Sequence, residues 1–391
     1  MDAALPVSAA GLSRADAGTR VAAGSTAARV GPWVVLLGTA ITTVGLSWDI
    51  QWHVEVGPDT FFTLSHLALY SGSALSGIAS LVMVLMSTSA QRAGRAWPRS
   101  AGGPPVRVFG GVFTAPLGYL VSGVGAACFL LYGLLDLWWH SIYGFDAVLN
   151  TPSHVALFLS ICVTMVGSII VFAAVRDQRR GKVGLLIAVP ILIVFAPIPF
   201  EGLNNAPLPV APTLMGAILC APMLLIMGAL VLGRGGAIGI AVVLGAMQAV
   251  LWWFSPWAAQ AYAVAVGLPM RDGLLPEPPV LPSLIPMFLI VSALVVEGAM
   301  WLSHTRRIHF GRLMLPLGAL CGLLVGVTLV VQLALTRPMM HVSPGLIVTL
   351  AIVGLVLGLP AGYLGTRFGA MLRGDTQGSD TQRSDATAEV A

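Results

Sequence analysis

The chain has 391 residues, of which 57% are hydrophobic and only 9% charged. A soluble domain carries about a quarter of its residues as charge. With a mean hydropathy of +0.89, a wholly water-exposed globular surface is excluded and a polytopic membrane protein is implied. The formal charge of +4 arises from no basic face, so nucleic acid is not an expected partner. The basic residues raise instead the question of which side of the bilayer they occupy.

Residues 1–32 are small, polar and mildly basic, and read as a cytoplasmic N-terminal segment. The first apolar run, about 33–51, ends in Trp48, Asp49, Trp52 and His53. It has no signal-peptidase exit and reads as a retained first span. Further apolar stretches long enough to cross a bilayer fall near 62–87, 109–135, 152–175, 183–199, 212–232, 236–255, 284–303, 312–334 and 344–366, which makes ten spans. The fifth is short, and Pro190, Pro197 and Pro199 bend it or end it early. The run 257–270 can add an eleventh, re-entrant or surface segment. The expected fold is all-α, a helical membrane bundle of about ten transmembrane helices. It divides into a four-helix region at 33–175, a six-helix region at 176–366 and a polar, disordered cytoplasmic tail at 367–391. Cys128, Cys162, Cys220 and Cys321 stand singly inside apolar runs and read as small core residues.

Charge placement supports this count. With the N-terminus cytoplasmic, only Arg271 and Arg337 of the 20 Lys+Arg fall on the outer side. This is the asymmetry of the positive-inside rule, and it implies a multi-pass protein of the cell membrane with both termini cytoplasmic.

The histidines form a pattern. The end of the first span and the start of the second read WDIQWHVEVGPDTFFTLSHLALY, and the end of the third and start of the fourth read LDLWWHSIYGFDAVLNTPSHVALF. With one extra residue in the second copy, Asp49 aligns with Asp136, Trp52 with Trp139, His53 with His140, Gly57 with Gly144, Asp59 with Asp146, Ser65 with Ser153 and His66 with His154. Both copies join an outgoing helix to an ingoing one, so they read as a parallel internal repeat of helical hairpins, unlike the inverted repeats of many transporters. Asp49 and His53 are i and i+4 and share a helix face, and His66 lies in the first turn of the returning helix. A short loop can bring the three together, and Asp136, His140 and His154 likewise. All six are candidate metal ligands at the non-cytoplasmic edge of the membrane, where ionisable groups are costly and usually functional.

One carboxylate and two imidazoles suit Cu, Zn, Fe or Mn and leave positions open for water or substrate. Asp59 and Asp146 can orient an imidazole, bind the metal, or start a helix. The plainer reading is that the acids and imidazoles only hold helices together. Trp48, Trp52, Trp138 and Trp139 read as interfacial anchors.

The spacing Asp-x3-His-x12-His, carried by Asp49, His53 and His66, resembles a copper-binding motif in the C subunit of the membrane-bound methane and ammonia monooxygenases. That family has a second, nearby motif, Asn-x3-His-x13-His. Asp136, His140 and His154 match it, except that Asp136 stands where the family has Asn. The resemblance covers residues 33–175, and the later spans have no counterpart in it. It implies copper, with dioxygen chemistry at the outer face, and other membrane subunits or further copies of the chain as partners.

The C-terminal half is less specific. Glu201, with Asn204 and Asn205, lies in an outer loop and can offer a further metal or substrate group. Glu297 is the acid that falls inside a later span, either on an ion pathway or in a hydrogen bond between helices. Arg337, Met339, Met340 and His341 form a loose cluster able to meet Cu(I), and His304 and His309 accompany inner arginines. Three functions follow. The first is a copper-binding oxidoreductase subunit, with zinc or iron as alternative metals, acting on a small apolar substrate. The second is a transporter or metal-handling protein for copper or zinc. The third is a structural membrane subunit without metal.

Overall fold

The computed structural model describes residues 26–144, 149–274, 277–287, 289–337 and 342–374. Within them the helices are α1 (Thr26–Glu55), α2 (Leu64–Arg92), α3 (Leu117–Tyr143), α4 (Pro152–Ala173), α5 (Arg179–Phe195), α6 (Pro212–Leu232), α7 (Gly236–Val266), α8 (Leu289–Thr305), α9 (Met314–Thr336) and α10 (Pro344–Arg373). Among the described residues, nine helices are long and apolar enough to cross a membrane, α5 being counted together with the 3-10 turn Ile198–Leu203 that extends it. The protein is thus a multi-pass membrane bundle. At 1.5 Å per residue, helices of 27 to 31 residues exceed the roughly 30 Å hydrocarbon core, so their ends stand in the headgroup layers.

Four boundaries differ from the sequence expectation. Residues 109–116 belong to a two-stranded antiparallel hairpin, β1 (Pro105–Val108) with β2 (Phe113–Pro116), turning at Gly110 and Gly111, so the third span starts at Leu117. The hairpin is tied to α2 because Thr88 Oγ1 accepts from Thr114 N at 3.0 Å and donates to Thr114 O at 3.2 Å. Pro190 lies inside α5 without ending it, whereas Pro197 opens the 3-10 turn. Residues 257–266 are no separate segment, since α7 runs through Pro256 as one helix. The helix expected as the eighth span, α8, is described from Leu289 over 17 residues and is not among these nine. The backbone before it is irregular. Gln248 donates to the carbonyls of Pro282 and Ile285, and Gln332 donates to Ser283 O and accepts from Met287 N. Non-helical backbone inside a membrane protein persists where protein groups satisfy it in this way.

The most buried spans are α5 with its extension and α6, which form the middle of the bundle. Two helical hairpins, α1–α2 and α3–α4, lie side by side, with α2 packed on α3 and α1 on α4. Small residues let each pair approach closely. A β-carbon at Gly38 would come within 2.5 Å of Gly72 O, and one at Gly125 within 2.5 Å of Thr164 Oγ1. At the far side α9 and α10 meet through Gly318, Gly322, Gly354 and Gly358 in the same manner.

Candidate metal centre

Helix α1 is long enough to carry Asp49 and His53 out to its last two turns, one above the other on the same face. The chain then turns through Asp59 and re-enters as α2, with Ser65 and His66 in its first turn. Thr63 Oγ1 accepts from Thr60 N at 2.8 Å and closes this turn. The imidazole Nε2 of His66 stands 3.0 Å from Asp49 Oδ1 and 3.4 Å from Asp59 Oδ2. That of His53 stands 2.9 Å from Asp59 Oδ2 and 3.9 Å from Asp49 Oδ2. Ser65 Oγ donates to Asp49 Oδ1 at 2.7 Å, tying the end of α1 to the start of α2.

The second hairpin builds the same arrangement. Asp136 and His140 end α3, and α4 begins at Pro152, its N-cap Thr151 accepting from His154 N. His140 Nε2 and His154 Nε2 each lie 3.5 Å from Asp136 Oδ1, to which Ser153 Oγ donates at 2.6 Å. All six residues expected as ligands are therefore gathered, three at the end of each hairpin. The aligned Asp146 lies outside the described residues. Asp59, for which the sequence left three roles open, belongs to the first group. Asp49, His53, Asp59 and His66 offer ligand atoms that all fall within 4.8 Å of one another, as do Asp136, His140 and His154. These are two buried His/Asp clusters capable of coordinating a metal ion.

The donor chemistry fits such an ion. A carbonyl oxygen only accepts, so Thr60 O at 2.9 Å from His66 Nδ1, and Gly144 O at 3.1 Å from His140 Nδ1, put the ring proton on Nδ1. In the neutral imidazole Nε2 is then a bare lone pair, yet it faces a carboxylate. Two acceptors in that position repel unless a proton or a metal cation lies between them. The backbone orientation of a ring through its other nitrogen is the usual outer support of a metal-binding histidine. Donors 2.0–2.2 Å from one tetrahedral centre stand about 3.3–3.6 Å apart, which is the middle of the contacts above. Asp59 Oδ1 and Nδ1 of His53 are buried with no hydrogen-bond partner among the described residues.

Asp49, His53 and His66 of the first cluster and all three residues of the second line one cavity of about 130 Å³, walled otherwise by side chains such as Leu46, Phe61, Leu69, Phe129 and Ile161. An aromatic ring four residues after each second histidine stacks on it: Tyr70 on His66 with centroids 6.0 Å apart, and Phe158 on His154 at 6.1 Å. Tyr70 also packs on Phe61 and Phe129, so its phenol belongs to the same wall. The shared wall was not legible in the motif, which specifies each hairpin separately.

Other sequence candidates lie elsewhere. Glu201 hydrogen-bonds Asn204 within its own loop. Glu297 accepts from Gly235 N and Ala237 N at the start of α7, which is a helix-packing role. The C-terminal end of α7 adjoins the end of α1 that carries the first cluster, Tyr262 packing on Trp52 and, just beyond the helix, Arg271 N donating to Glu55 O. Glu297 is thus a 31-residue helix, or about 45 Å, away from it. Arg337 pairs with Glu277 at 3.4 Å, while Met339, Met340 and His341 lie outside the described residues. Trp52 is no interfacial anchor: it is buried against Tyr262 of α7 and donates Nε1–H to Pro58 O.

Compared with protein-family models, curated proteins and solved structures, the chain gives no match to any of the three.

Proposed function

We propose that this membrane protein binds copper at its two His/Asp clusters and serves as an oxidoreductase subunit acting on dioxygen at the non-cytoplasmic face. The observation that carries the reading is that both donor sets face one apolar-walled cavity. Separate structural hydrogen-bond sets have no need of a common space. A copper ion held there supplies one-electron redox chemistry and an open position for a small ligand. The chain's own residues do the rest. Asp49, His53, Asp59 and His66 hold one ion, and Asp136, His140 and His154 the other. Thr60 O and Gly144 O set the imidazole tautomers, and Ser65 and Ser153 orient the two carboxylates. Phe61, Phe129 and the leucines around them exclude bulk water.

The resemblance to the monooxygenase C subunit supports copper over zinc, and it supports partner subunits or further copies of the chain that deliver electrons. Duplication of one ancestral hairpin accounts for the matched residues. It is supported by the equivalent serine-to-aspartate bonds and by the close helix approach at both Gly38 and Gly125. The placing of the basic residues supports cytoplasmic termini.

Metal analysis of protein purified from membranes tests this proposal, with His53→Ala and His140→Ala alongside the wild type. Each substitution is expected to remove the metal of its own cluster, and the bound copper to give a Cu(II) paramagnetic signal when oxidised. Metal content unmoved by either substitution would leave only the structural-subunit reading. Zinc as the bound metal would favour the metal-handling one.

A further inference from the structure

A groove of about 370 Å³ runs along the end of α1 that carries the first cluster, lined by Ile50, His53, Val54, Leu149 and Arg271. Ile50 and Val54 are one helical turn apart and share a face, which makes one wall of the groove apolar. His53 and Leu149 line the cluster cavity as well, so one imidazole and one leucine side chain partition the groove from that cavity. The side chain of His53 keeps 15% exposure here, whereas Asp59, its partner at 2.9 Å, has none. By contrast, the groove between α3 and α4, which Cys128 and Leu159 line, shares no residue with the cluster cavity.

Arg271 is the charged part of the rim. From the order of the spans, the other basic residues fall at the opposite end of the bundle, as charge topology requires. Arg271 and Arg337 are the exceptions, and Arg337 is paired with Glu277 at 3.4 Å. Three contacts fix Arg271 beside the groove. Its N donates to Glu55 O at 2.8 Å, its Nε donates to Val56 O at 3.3 Å, and its guanidinium lies where a β-carbon at Gly57 would collide with it. The Glu55 carboxylate bonds Gln51 instead. The two Nη groups of Arg271 have no hydrogen bond or ion pair among the described residues. A fixed cation at a cleft raises the local concentration of anions, lowers that of cations and leaves neutral molecules alone.

We propose that this groove is the entrance by which small molecules reach the cluster cavity from the adjoining aqueous phase, with the Leu149 side chain as its threshold and Arg271 favouring neutral and anionic molecules over cations. The existence of the entrance does not depend on a metal, whereas dioxygen and a small substrate as its traffic rest on the function proposed above. The cavity of about 130 Å³ is slightly smaller than one of about 150 Å³ that takes up benzene, so a probe of the route must be no larger than that.

The test uses the full-length protein in detergent carrying Leu69→Cys, which puts a thiol in the cavity wall. It is alkylated with iodoacetamide or iodoacetate, which match in size and differ in charge, and followed by mass spectrometry. In both reactions the thiolate forms the S–C bond and iodide leaves. Cys128 lines neither space and is the internal standard. Val54→Trp, at an exposed rim position, is expected to slow both reagents severalfold at the introduced thiol, and Leu149→Ala to speed both. Arg271→Gln should slow iodoacetate alone by about fivefold, the interaction of two unit charges about 4 Å apart in water, and high salt should have the same effect where Arg271 is present. A misfolded variant would react faster at both thiols, so slowing confined to the introduced one reports the route. Unchanged rates in Val54→Trp would overturn the entrance, and an unchanged ratio of the two reagents in Arg271→Gln would overturn the selection by charge. The expected rates in a protein that holds no copper would overturn the proposed function and leave the entrance standing.

Discussion

Removing one hydroxyl should separate the two clusters experimentally. Asp49 Oδ1 receives Ser65 Oγ at 2.7 Å and faces His66 Nε2 at 3.0 Å. Ser65 is itself fully buried, so in Ser65→Ala no water readily replaces its hydroxyl and the carboxylate loses the donor that fixes its plane. A hydrogen bond to a charged group contributes about 1.5–3 kcal/mol, and each 1.4 kcal/mol is a factor of ten. Losing such outer support typically costs a metal site about 10–100-fold in affinity, and the same range is expected here. Ser153→Ala removes the equivalent 2.6 Å bond to Asp136 and should weaken the second cluster alone. Competition with a copper chelator of known affinity gives both constants, and full loading at high copper shows that the sites survive. If Ser65→Ala holds copper within threefold of the wild type, or weakens both clusters alike, Asp49 is not a ligand oriented by Ser65.

Tyr70→Phe should retain full metal content, since phenylalanine already fills the matched position at Phe158. The cavity wall loses its phenol, so azide binding to the copper-loaded protein should weaken about tenfold, the effect of one hydrogen bond near 1.4 kcal/mol; unchanged azide affinity would exclude a direct contact. Gln332→Leu strips partners from Ser283 O and Met287 N. Each buried group left unpaired costs about 1–3 kcal/mol, so thermal unfolding in detergent should drop markedly while metal loading stays intact.

The spans were legible because a bilayer demands unbroken apolar helices, and the His/Asp clusters because i, i+4 spacing at a hairpin end is a local property. What escaped sequence reading depends on contacts between segments. Residues 109–116 are as apolar as a helix start, and only their pairing with 105–108 and Thr88 makes them a hairpin. The runs 236–255 and 257–270 read as separate segments, but α7 continues through Pro256, since a proline in a transmembrane helix needs only neighbours that meet the freed backbone groups. Trp52 at a helix end matched an interfacial anchor until α7 covered it. Asp59 is one acid in a loop, and its approach to 2.9 Å from His53 depends on a turn closed by Thr63. The shared cavity depends on α2 lying against α3, which no spacing within one hairpin encodes.

The same dependence gives a prediction at a distance. Gly38 lies three helical turns before Asp49, and a β-carbon there would stand 2.5 Å from Gly72 O. A backbone oxygen cannot swing away, so Gly38→Val must part α1 from α2 by roughly an ångström, and overpacking of this kind costs about 1–3 kcal/mol. The side chains of the first cluster are divided between these two helices, so Asp49 and His53 would shift against His66 and that site should lose copper affinity. The second cluster is spaced by Gly125 and should keep its own. Gly322→Val provides the control: a β-carbon there would meet Gly358 Cα at 2.7 Å, crowding α9 against α10 as severely but away from both clusters. It should lower thermal stability comparably and leave both copper affinities unchanged. If Gly38→Val and Gly322→Val affect metal binding alike, helix spacing within the hairpin does not set the site, and general loss of stability accounts for both.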